Sequence, residues 1–173
     1  MLEENAMAAC SFIPNLCLPK LGTGAGILTF GFRACAHGFG EDPRTIESFR
    51  EALPKDGPEI LLHLNSFSKS LSRQGRRRIG VASPACGHIT ADELSLVAAF
   101  ARAQEDHGFA QEAHLTWILA APPSTGLMDH MRDITDLFLC SGLNISCPVF
   151  SAVHHPAQTA QLVVKSGGKV AHA

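Results

Sequence analysis

The sequence predicts a mainly α protein: a compact bundle of about six helices with irregular arms at both ends. Three observations predict it. Apolar side chains recur at steps of three and four between Ile27 and Phe138, the spacing of a helix face rather than a strand. Helix start and stop residues bracket these runs, and Pro and Gly punctuate them at short intervals, as bundles with short loops require. The length of 173 residues fits one domain, and 46% apolar residues suffice for a core without staples. The expected division is an irregular arm over 1–25, a helical domain over 26–145 and a partly docked tail over 146–173.

Residues 1–25 are rich in breakers, with Pro14, Pro19, Gly22, Gly24 and Gly26. The run Gly22-Thr23-Gly24-Ala25-Gly26 superficially looks like a dinucleotide loop. It has Ile27 where the third glycine of G-x-G-x-x-G belongs, and Pro19 and Lys20 break the strand that should precede it. The first helix starts at Ile27, with Phe30, Ala34 and His37 on one face and Gly38 as its stop. Asp42-Pro43 opens a second, combining an N-cap carboxylate with proline where its missing N–H costs nothing. Its stripe is Ile46, Phe49 and Leu53. Pro58 starts a third, with Leu61, Leu64, Phe67, Ser68 and Leu71 facing inward and an end near Gly75. Ile79 to Ala82 leans toward extended chain but lacks a second strand to satisfy a ladder, so it reads as a connection.

Thr90-Ala91-Asp92-Glu93 is the sharpest boundary, a capping box in which Thr90 and Glu93 satisfy each other's amides. Leu94, Val97, Phe100 and Ala101 follow, and Gly108 closes the segment. A fifth helix over about 110–121 carries Ala113, Trp117, Ile118 and Ala121 until Pro122-Pro123. A sixth over about 126–141 carries Leu127, Met131, Ile134, Leu137 and Phe138, with Gly142 at its C-terminal turn. Beyond 146 the period is lost.

Charge and targeting signals narrow the function classes. Acid at Glu3 and Glu4 stands where a signal peptide needs positive charge, and no apolar run approaches eighteen residues. The expectation is a cytoplasmic protein with free thiols and no membrane partner. Net charge is −2 and Tyr is absent, so nucleic acid is not an expected partner. The chain lacks H-E-x-x-H, G-x-S-x-G and G-x-x-x-x-G-K-[ST].

The stretch 27–103 resembles an uncharacterised family of small helical bacterial hypothetical proteins. The resemblance lies in Ala36-His37-Gly38 and in the Pro84-x-Cys86 turn leading to Thr90-Ala91-Asp92-Glu93, and the chain departs from the family at His88. It implies a helical fold and brings no activity.

Two constellations have chemical content. Cys35-Ala36-His37 and Cys86-Gly87-His88 together offer the two thiolates and two imidazoles of a closed zinc site, with spacing shorter than structural zinc usually uses. The alternatives are packing and capping roles for these four residues, or a reactive thiol at Cys86 with His37 or His88 as base. Otherwise no cofactor is expected. Between Ile60 and Ala91 lie five cations, Lys69, Arg73, Arg76, Arg77 and Arg78, and no acid, whereas residues 92–136 hold eight acids against two arginines. Such a patch suits an anionic ligand or an acidic protein surface, or pairs with neighbouring helices. The leading expectation is a non-enzymatic helical domain that binds a partner protein. Metal or thiol chemistry at Cys35, His37, Cys86 and His88, and a small anion at Arg76–Arg78, are the alternatives.

Overall fold

The structure, a computed structural model, describes residues 12–106 and 108–147. Six helices pack together: α1 (Thr23–Ala36), α2 (Pro43–Ala52), α3 (Gly57–Gln74), α4 (Ala91–Gln104), α5 (Gly108–Leu119) and α6 (Thr125–Cys140). Two short strands, β1 (Phe12–Cys17) and β2 (His88–Thr90), pair antiparallel, with Phe12 opposite Thr90 and Cys17 opposite His88. The mainly α bundle is therefore the architecture.

Local chemistry explains the boundaries. The Asp42 carboxylate accepts from the Arg44 N–H at 2.9 Å and caps α2. Both halves of the Thr90–Glu93 capping box form at the start of α4. Ser124 caps α6. Gly38 and Gly142 take φ of +83° and +71° just beyond α1 and α6, a backbone region that glycine enters without steric cost.

Helix α3 packs against α1, α2 and α6, while α4 packs against α5 and α6. At the centre the Phe67 ring meets Phe32 and Phe100 edge-on, with centroids 6.4 and 5.2 Å apart. The α3 stripe read from spacing (Leu61, Leu64, Phe67, Ser68, Leu71) is buried throughout, as are Leu127, Met131, Ile134 and Phe138 of α6.

Four features differ from the sequence reading. Helix α1 begins at Thr23, so Gly24 and Gly26 are helical. A Cβ at Gly24 would strike the Asn144 carbonyl, and the small residue permits the segment after α6 to lie against α1. The inward face of α1 is Ala25, Leu28, Phe32 and Cys35, about one residue round from the expected stripe, and it includes Arg33. The inward face of α5 is Gln111, Leu115, Ile118 and Leu119, which leaves Ala113 and Trp117 outside. Residues 79–82 are a connection, as expected, but within the expected irregular N-terminal arm β1 pairs with a strand at 88–90. A pairing across 71 to 78 residues leaves no local signal. The expected tail falls largely on 148–173, outside the described residues.

Candidate functional site

The segment joining α3 to β2 lies across α1, α4 and α5 and is tied down by side chains from all three. Arg33, fully buried on α1, donates from Nε to Glu93 Oε1 at 2.7 Å and from a terminal nitrogen to Oε2 at 2.8 Å. Its remaining donors reach the carbonyls of Cys86 and His88. Glu93 in turn accepts from the Ala82 and Thr90 amides, each at 2.9 Å. A bidentate charge pair thus satisfies two backbone groups of the connecting segment, at Ala82 and Cys86, and two of β2, at His88 and Thr90. Sequence reading missed Arg33. Its only signal was a cation among apolar residues within a helical pattern.

A second tie runs through Arg77. Its guanidinium holds Asp92 in a two-pronged pair at 3.0 and 2.7 Å, sits 4.6 Å over the Trp117 ring and donates to the Trp117 carbonyl. The hydrogen bonds to Asp92 hold the Arg77 pKa above its usual value. Asp92 also accepts from the Gly80 amide at 2.6 Å, and Thr90 Oγ1 donates to the Gly80 carbonyl.

The other basic residues divide by role. Lys69 pairs with Glu41 at 3.1 Å. The hydrogen bonds from Lys69 and Asn65 lower the Glu41 pKa. Arg73, Arg76 and Arg78 are exposed. Arg78 and Arg77 border a cleft of about 450 Å³, with His37, Ser68 and Ser72 at its polar edge and Phe32, Leu71, Ile79 and Val81 among its apolar lining.

The two Cys-x-His pairs occupy separate settings. Cys35 is buried, its Sγ beside Gly40, and burial pushes its thiol up to about 12. A thiol so displaced is a poor thiolate donor near neutral pH. His37 Nε2 lies 3.0 Å from the Ala82 carbonyl beyond the C-terminus of α1. Cys86 Sγ and His88 Nδ1 are 4.0 Å apart, and the Phe12 ring stands over His88. Among the described residues, a three-ligand cluster of metal-binding side chains forms instead at His63, His130 and Asp133, where α3 meets α6.

The outer face of α5 exposes two large rings, with Glu112 and Thr116 beside them. Phe109 is 90% exposed and Trp117 53%, two turns apart with Ala113 between them. A shallow groove of about 430 Å³ runs along this stripe. Its far end meets the basic segment, because the Arg76 amide donates to the Leu119 carbonyl at 2.8 Å.

No helix among the described residues is long and apolar enough to cross a membrane. Comparison of the chain with family models, curated proteins and solved structures finds no match.

Proposed function

We propose that this chain is a protein-interaction domain that seats an acidic amphipathic helix of a partner on the outer face of α5. The observation that carries this reading is the Phe109–Ala113–Trp117 stripe, which ends beside the exposed Arg76. Two large rings left in water on one helix face form the kind of contiguous apolar patch that marks an interaction site. Aromatic residues are also the side chains that most often dominate binding energy. Arg77 and Asp92 hold the Trp117 end of the groove in place, so little ordering accompanies docking. Arg76 and Arg78 pair with no carboxylate among the described residues, and they supply charge to orient an acidic partner.

The test uses two designed amphipathic helical peptides with the same apolar face, one acidic and one basic, followed by the fluorescence of Trp117. The acidic peptide binds more tightly, and its affinity falls as salt rises through the screening range. Phe109→Ala removes most of the binding, and Arg76→Glu reverses the preference. Equal affinity for the two peptides, or binding indifferent to Phe109→Ala, defeats the reading.

The cleft beside Arg78 supports a second reading, a small carboxylate with an apolar body. The Arg78 guanidinium, with no carboxylate partner among the described residues, and two serine hydroxyls edge an apolar floor there. Thermal-shift screening against monocarboxylates of increasing chain length should show stabilisation that Arg78→Ala abolishes. A screen without such a response removes this reading.

A further inference from the structure

His63 on α3 and His130 and Asp133 on α6 place one ligand atom each within 4.8 Å of one another. His63 Nδ1 stands 3.6 Å from Asp133 Oδ2, close to the separation of about 3.3 Å between two ligands of a tetrahedral ion with bonds near 2.0 Å. His130 and Asp133 are three residues apart on one helix, a spacing that puts both side chains on the same face. The two helices are packed against each other over a shared apolar core, so the third ligand is delivered from across the interface by a rigid scaffold. The imidazole rings of His63 and His130 meet edge to face at 6.5 Å.

The geometry points to a divalent transition-metal site of the zinc class at His63, His130 and Asp133, linking α3 to α6. Two imidazoles and a carboxylate are the donors such ions take in sites that keep open positions, and water completes the coordination here. Half-exposed Asp133 and partly buried His63 leave a path for the ion from solvent. The carboxylate also neutralises part of the ion's charge. The site is distinct from the α5 face and stands or falls independently of the partner-binding reading.

Cobalt titration of the reduced full-length chain tests it, because cobalt reports its ligands by colour. The expected result is one equivalent bound with a visible ligand-field spectrum, no thiolate-to-cobalt charge-transfer band, and displacement by zinc. Asp133→Asn and His130→Gln, both on the outer part of α6, each weaken binding by at least about tenfold with the far-ultraviolet circular dichroism unchanged. His63→Ala does the same from the other helix. A thiolate band would place the ion on the cysteines and overturn the assignment. So would affinity unchanged in Asp133→Asn and His63→Ala, or the lack of any stoichiometric binding, in which case His63 and Asp133 form only an ion pair.

Discussion

Removing one partner of the Arg33–Glu93 pair leaves the other charge buried, since the two side chains are 0% and 1% exposed. Truncation of either should therefore cost about 3–5 kcal/mol. Buried ion pairs can often be replaced together by apolar residues at little cost, but that exchange should fail here. Arg33 and Glu93 also satisfy the Cys86 and His88 carbonyls and the Ala82 and Thr90 amides. The Ala82 and Thr90 amides are buried, and each buried backbone group left unpaired costs about 1–3 kcal/mol. The double variant Arg33→Met/Glu93→Leu should thus remain destabilised by about 2 kcal/mol or more in urea unfolding. Wild-type stability in that variant would mean the segment finds other partners. A second residue sets a pH dependence. Burial, then the nearby Arg102 charge, lowers the His114 pKa below its ordinary 6.5. The unfolded chain then binds the proton first on acidification, so the contribution of His114 is present above the unfolded value and is lost as pH falls through the folded one. His114→Gln should flatten that part of the stability–pH profile, and a variant profile parallel to the wild type's would refute the assignment.

At the scale of the element, α5 closes on a residue in an unfavourable backbone conformation. Ala120 follows its last turn with φ of +52°, a left-handed conformation that an L side chain enters at a cost and glycine does not. Ala120→Gly should raise the unfolding free energy by about 0.5–1 kcal/mol, read as a higher midpoint at unchanged slope. A lower midpoint would show that chain entropy outweighs the strain. The same helix shows why some elements were legible and others were not. The faces of α3 and α6 could be read from spacing because most of their apolar residues fall on one side, with Leu62 and Leu139 left exposed. On α5 apolar residues occupy two sides, and spacing cannot say which one meets the core. Leu115, Ile118 and Leu119 go inward, while Phe109 and Trp117 stay out. Caps were the most legible feature, since Asp42, Thr90 and Glu93 act within four residues of themselves. The pairing of β1 with β2 and the tie from Arg33 to Glu93 join residues about 60 to 80 apart, and no local pattern encodes them. The His63, His130 and Asp133 cluster was hidden for the same reason, because α3 and α6 must pack before its ligands meet. Gly24 shows the converse: a glycine run with the look of a loop is a helix face cleared for another segment.

At the scale of the molecule, one apolar cluster draws on every helix, from Leu28 of α1 and Phe49 of α2 to Phe138 of α6. The charged ties add to it rather than dividing it. Arg33 joins α1 to α4, and Arg77 joins the connecting segment to α4 and α5. A chain of this length with a single core should unfold in one cooperative step. The sequence provides two probes that see different parts of that step. Trp117 is the chain's only tryptophan and reports on α5 and the Arg77 tie, whereas far-ultraviolet circular dichroism reports on all six helices. The two urea curves should superimpose. Arg77→Ala separates the contributions of core and tie. It removes the ring contact and the Asp92 pair but leaves Leu115, Ile118 and Leu119 buried, so both curves should move together to lower urea. If only the fluorescence curve moves, α5 and the segment it holds form a unit that opens ahead of the bundle. The proposed docking face would then be a surface that must fold before it can bind, and the ordering cost would appear in the peptide affinity.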